Sequence, residues 1–160
     1  MAKRILSILI ILCMSTIFFF SHQKADESRN TSSKVVIKIV EILDVQGKLN
    51  KTQTLSLADR LHRTARKIAH FCIFAVLGFL FALFFKEYKY ALRHIFARSV
   101  VFSFLYACTD EFHQLFIPGR SCEIRDVCID SLGASFGALT ALVLVILFAK
   151  KGQRKNGFYE

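Results

Sequence analysis

The sequence predicts an all-α integral membrane bundle of about four transmembrane helices. Three observations predict it. Of 160 residues, 54% are hydrophobic, above the ~45–50% usual for a soluble globular chain. The excess is gathered into a few long runs with little charge, which is the pattern of membrane spans. The basic residues border those runs instead of scattering between them, as membrane topology requires. The formal net charge is +10. In a soluble chain that balance would suggest nucleic acid, but no such motif is present. Basic borders on apolar runs suit anionic lipid headgroups, so membrane lipid is the expected partner and nucleic acid is not.

The first span covers 5–20, after Lys3 and Arg4. This resembles the n-region and apolar core of a signal peptide. Ser21-His22-Gln23 does not supply the small-residue cleavage pattern, so residues 1–21 are expected to stay as a signal anchor. Residues 22–67 form a polar, basic, amphipathic loop, expected to be extracytoplasmic. Within it Val35, Val36, Ile39, Val40 and Leu43 recur at helical spacing, and a second stretch, 55–67, carries Leu57, Leu61 and Ala65 on one side. Such stretches lie along the headgroup region as interfacial helices, or pack on each other as soluble loop helices.

Residues 68–149 form a three-helix core with spans at 68–85, 95–116 and 129–149, and 150–160 is a basic tail expected in the cytoplasm. A short basic turn, 86–94, joins the first two of these spans. Pro118-Gly119 lies between the last two. Pro fixes φ at the second position of a type II turn and Gly accepts the positive φ of the third, so these spans are expected to form a hairpin. With four spans, Lys3 and Arg4, then Lys86, Lys89, Arg93 and Arg98, then Lys150, Lys151, Arg154 and Lys155 fall on one side. The positive-inside rule makes that side, and both termini, cytoplasmic.

This topology brings distant polar residues to one depth. The second span begins with Arg66, Lys67 and His70; the third ends with Asp110, Glu111, His113 and Gln114; the fourth begins after Arg120, with Asp126 and Asp130. Residues three or four apart share a helix face. Asp126 and Asp130 continue into Gly133, Ala134, Gly137, Ala138 and Ala141, a GxxxG motif that lets helices approach closely. His70 continues into Gly78 and Ala82, and Asp110 and Glu111 adjoin Ala107, Ser103 and Ser99. Each span thus sets its ionisable end above a small-residue stripe, and the polar ends are expected to converge. Ionisable groups facing a bundle interior mark functional sites; the competing reading is an ion network that only holds the helices together.

Of five cysteines, Cys13, Cys72 and Cys108 lie in apolar runs as small hydrophobes. Cys122 and Cys128 share a polar loop and are expected to be free thiols, a disulfide being the alternative in an oxidising compartment. No Cys/His set has the spacing of a structural zinc site.

Arg66-Lys67-Ile68-Ala69-His70-Phe71, then Asp110-Glu111-Phe112-His113-Gln114 running on to Pro118-Gly119-Arg120, then Arg125-Asp126 with Asp130 and Gly133, resembles the VanZ-like family. The similarity covers roughly residues 60–147, and the first span and loop fit that family's layout. Some of its members carry Asn at the position of Asp130. The resemblance implies a multi-pass protein of the bacterial plasma membrane. The family's named member is associated with low-level resistance to the glycopeptide teicoplanin.

Three functions compete. A binding module would use Arg66, Lys67 and Arg120 to hold the phosphate or carboxylate of a lipid-linked cell-wall intermediate or a glycopeptide antibiotic. Asp110, Glu111, Gln114, Asp126 and Asp130 would complete that pocket. An enzyme acting on a lipid phosphate would draw acid–base chemistry from His70, Glu111 and Asp126. No cofactor is expected, although Asp110, Glu111 and Asp126 could together hold a divalent cation. No Ser/His/Asp or Cys-nucleophile motif is present. A transporter would need an oligomer, because the spans offer no continuous polar path. Binding is favoured over catalysis.

Overall fold

In the computed structural model the chain is all-α. The structure describes residues 1–22, 51–118, 120 and 122–156, without the side chains of 51, 52, 54, 55 and 150–156. Four helices run through the described residues: α1 Ala2–His22, α2 Lys51–Lys86, α3 Leu92–Gln114 and α4 Ile124–Asn156. The amphipathic stretch around Val35 to Leu43 lies outside the described residues.

The stretch 55–67 is not a separate surface helix. It is the first half of α2, continuous with the span that follows. The chain from 51 to 77 contains neither Gly nor Pro, so nothing in it interrupts the helix. The change from charged to apolar residues near 68 therefore marks a change of surroundings, not an end of secondary structure.

Three of the described helices are long and apolar enough to cross a membrane: Ala2–His22, Ser56–Lys86 and Ile124–Ala149. Where the sequence suggests four spans, α3 falls short on composition. Its Ser99, Ser103, Asp110, Glu111 and Gln114 are buried against the other helices, while Val101, Phe102, Phe104, Leu105 and Phe112 form its exposed face. It is polar inward and apolar outward, so its average conceals an apolar outer surface.

The helices alternate in direction. Phe71 lies against Gly133 and Ala75 against Gly137, so α2 and α4 run parallel, side by side. Tyr106 Oη donates to Met14 O at 2.6 Å and Ser21 Oγ to Asp110 at 2.8 Å, which sets α1 and α3 parallel to each other and antiparallel to that pair. The small residues explain the α2–α4 seam. A Cβ on Gly137 would collide with the Ala75 carbonyl oxygen, and one on Gly78 with that of Ala134. Both obstacles are backbone, so only glycine permits this approach. Ala138, Ala141 and Ala82 extend the seam, and Phe74 and Leu77 fill the core toward α1 and α3.

Candidate functional site

All the polar motifs meet at one end of the bundle. Three helix ends and one helix middle contribute: the end of α1, the middle of α2 around residue 67, the end of α3 and the start of α4. Between α3 and α4, Arg120 N donates to Ile117 O at 3.1 Å and closes a four-residue turn over Pro118. The turn type depends on Gly119, which lies outside the described residues.

Gln114 is the hub of the network. Its Nε2 donates to Asp110 Oδ2 at 3.1 Å and to Glu111 Oε1 at 3.0 Å. Its Oε1 accepts from Arg120 Nη1 at 3.2 Å, and Arg120 Nη2 donates to Phe20 O at 3.0 Å. The guanidinium thus binds one carbonyl of the last turn of α1, where a cation is favoured by the helix dipole. Glu111 Oε2 accepts from the Glu123 N–H at 3.0 Å, one residue before α4 begins. A carboxylate is favoured at a helix N-terminus, so Glu111 ties α3 to α4. It is 1% exposed and both its oxygens are engaged.

Lys67 reaches across from α2 to Glu123 at 3.1 Å and to Asp126 by a shorter contact. One turn deeper, His70 Nδ1 stands 3.6 Å from Asp130 Oδ2, beyond ordinary hydrogen-bond reach. Asp130 is 1% exposed. Arg66, Lys67, His70, Glu111, Gln114, Asp126 and Asp130 line one pocket of about 230 Å³, part of it open to solvent. Burial holds the Arg120 guanidinium below its ordinary pKa, and the Arg66 charge nearby adds to that effect. Among the described residues Arg66 has no carboxylate partner.

The structure therefore brings together all nine residues singled out for the site: Arg66, Lys67, His70, Asp110, Glu111, Gln114, Arg120, Asp126 and Asp130. It sorts them differently from the sequence in one respect. Glu111 is turned to the N–H of Glu123, just before α4, and Asp126 to Lys67, so the three carboxylates named for a divalent cation, Asp110, Glu111 and Asp126, face different partners. The atoms of His70, Asp110 and Asp130 are the ones that converge, all within 4.8 Å of one another.

Sequence reasoning missed Ser21, which is fully buried and donates to Asp110. The only signal for it was a hydroxyl closing an apolar run at the same end as the motifs. It also missed the pair His22 and His113, whose ring nitrogens lie 3.3 Å apart with Phe18 stacked on His113. Cys122 and Cys128 are exposed free thiols.

The VanZ/LLP1 family model matches residues 6–147, nearly the whole chain, and the protein belongs to that family. No curated protein and no solved structure matches it.

Proposed function

For a membrane protein of the VanZ/LLP1 family with this arrangement, we propose that the polar end binds the anionic headgroup of a lipid-linked cell-wall intermediate at the outer face of the bacterial plasma membrane. The observation that carries the reading is Arg66. It lines the pocket without a carboxylate partner among the described residues, and its charge bears on that of Arg120. Two guanidinium groups that repel each other are relieved by an anion between them, and phosphate offers the bidentate geometry they favour.

The pocket is a narrow, partly open cleft, so a ligand would meet it by a small charged group at its mouth while the rest of the molecule stays outside. A contribution to teicoplanin resistance would then act through the cell-wall precursor.

The test is binding of a short polyprenyl phosphate, against the matching polyprenyl alcohol, to the purified full chain in nanodiscs. Arg66→Ala is the informative variant, because among the described residues no hydrogen bond or ion pair of Arg66 would be broken. Loss of a charge-assisted hydrogen bond is worth roughly 1.5–3 kcal/mol, so affinity for the phosphate should fall about tenfold or more. Equal affinity for phosphate and alcohol, or equal binding by wild type and Arg66→Ala, overturns the reading.

A second reading, an enzyme acting on the same lipid phosphate, has one observation in its favour. His70 and Asp126, both suited to proton transfer, line the same pocket. Glu111 is the weakest of the three acid–base candidates, since both its oxygens are committed. Release of inorganic phosphate from the polyprenyl phosphate, lost in His70→Ala, would favour this reading over simple binding.

A further inference from the structure

Asp130 is 1% exposed, and neither of its carboxylate oxygens accepts a hydrogen bond. Asp110 is 3% exposed; Ser21 and Gln114 hold its Oδ2, while its Oδ1 is also without a partner. Lys67, the cation nearest in sequence to His70, is taken by Glu123 and Asp126. A buried carboxylate left without a donor costs far more than a lost hydrogen bond. Asp130 is such a group, Asp110 beside it keeps one oxygen open, and the two carboxylates call for more positive charge than His70, 3.6 Å from Asp130 Oδ2, supplies by itself.

We propose that His70, Asp110 and Asp130 bind a divalent transition-metal ion of the Zn²⁺ or Mn²⁺ class. One ligand atom from each lies within 4.8 Å of the others. Around a tetrahedral ion with bonds of about 2.0–2.2 Å, ligand atoms lie roughly 3.3–3.6 Å apart, so side-chain rotations of about an ångström close the site. The donor set selects the metal. Imidazole suits Zn²⁺ and the two carboxylates suit Mn²⁺, whereas Mg²⁺ and Ca²⁺ are usually held by oxygen ligands. The surroundings have the form of a metal site's outer shell: Ser21 and Gln114 fix the Asp110 carboxylate by one oxygen and leave the other to bind. His70 and Asp130 line the pocket, which gives an ion its entry path.

The assignment does not rest on the headgroup reading. Metal binding is measured without lipid phosphate, so either idea can fail alone. If both hold, the ion forms the floor of the pocket and Arg66 its rim, and a phosphate between them would meet positive charge on two sides.

The experiment uses the full chain in nanodiscs, stripped with EDTA and titrated with Mn²⁺ under electron paramagnetic resonance. Wild type should bind one Mn²⁺ per chain, and pulsed spectra should show the nitrogen modulation of a coordinated imidazole. His70→Ala should abolish that modulation. Asp130→Asn, nearly isosteric, should weaken binding at least about tenfold, in line with the sensitivity of metal sites to their ligand environment. Glu87→Gln, on the exposed turn at the opposite end of the bundle, should bind as wild type does. Failure of wild type to bind Mn²⁺ or Zn²⁺ overturns the proposal. So does Mn²⁺ bound without nitrogen modulation, or equal binding by wild type and a helical, monodisperse Asp130→Asn. Should Asp130→Asn not fold, the wild-type nitrogen signal still decides.

Discussion

At one end of the bundle Asp110, Glu111, Gln114 and Asp130 are buried between helices: Ser21 of α1 donates to Asp110, the N–H just before α4 donates to Glu111, and His70 of α2 faces Asp130 at 3.6 Å. At the other end Lys3 lies 4.0 Å over the ring of Tyr88, and Arg98 lies 3.6 Å over that of Tyr90. Both tyrosines are exposed, at 45% and 40%. Both ends thus carry ionisable side chains at a helix terminus. At the second end the Lys3 head keeps its water while the Tyr88 ring takes up its apolar stem, and the half-buried Arg98, with Nη1 shielded from solvent, rests its charge on the Tyr90 ring. The groups of the first end have given up water and depend on one another. In a site of low dielectric a satisfied polar network is rigid and specific, and an unsatisfied member of it is expensive. The difference separates an anchoring end from a working end, and it can be broken experimentally at several strengths.

The largest effect is expected at the seam that sets the working end in place. Gly137→Leu puts side-chain atoms where the Ala75 carbonyl oxygen now stands, and a backbone atom in the middle of a helix cannot move aside. Overpacking costs roughly 1–3 kcal/mol when neighbours can adjust and more when they cannot, so a loss above about 3 kcal/mol is expected. Thermal unfolding of the detergent-solubilised protein, followed by circular dichroism, would measure it. Leu139→Ala, on the exposed face of the same helix, serves as the comparison and should change little. Binding of polyprenyl phosphate should be lost with Gly137→Leu even below its melting temperature, since α2 and α4 bring Arg66, His70 and Asp130 to one depth. A variant that melts early yet binds normally would separate the seam from the site.

That dependence also explains what the sequence could and could not reveal. The i, i+4 row from Ser99 through Ser103 and Ala107 to Asp110 and Glu111 reads directly as the buried face of α3, and all five are buried. Gly133 and Gly137 read as a close approach for the same reason: in lipid the pattern of small residues is itself the packing signal. What periodicity cannot supply is the pairing between helices. Asp126 and Asp130 share one face of α4, yet the register with α2 gives the first to Lys67 and the second to His70. That offset settles which carboxylate is neutralised and which is left open, and it depends on how two backbones slide along the glycine seam. The length of α2 was hidden for a different reason. Charge composition changes near residue 68 while helix propensity does not, so the boundary of the apolar run was mistaken for the boundary of the helix.

A middle-sized effect is expected from Lys67, whose head is shared between Asp126 and Glu123. Lys67→Ala leaves Asp126, 15% exposed in its side chain, facing the pocket without its cation. Charge-assisted hydrogen bonds contribute roughly 1.5–3 kcal/mol where water is excluded, and the remaining access to solvent brings the expected loss to about half of that, roughly 0.75–1.5 kcal/mol. The double variant Lys67→Ala/Asp126→Ala should lose less than the sum of the two single changes, because the second removes the charge that the first strands. Additive losses would mean that the pair is independent, and the working end would then look no more coupled than the anchoring end.

The smallest effect is the one that tests the anchoring end itself. Lys3 and Tyr88 are both at the surface, and a cation over an exposed ring contributes about 0.5–1 kcal/mol. Lys3→Ala should therefore shift stability by less than about 1 kcal/mol, and salt should shrink even that difference, since an exposed charge is screened over about 10 Å at 0.1 M ionic strength. Binding of Mn²⁺ and of polyprenyl phosphate should be unchanged, because no hydrogen bond or ion pair links Lys3 to the working end among the described residues. Measured side by side, Lys3→Ala and Lys67→Ala remove the same charge from the same kind of residue. If Lys3→Ala weakened ligand binding as much as Lys67→Ala does, net charge would govern the site at long range, and the division of the bundle into two ends would have no energetic meaning.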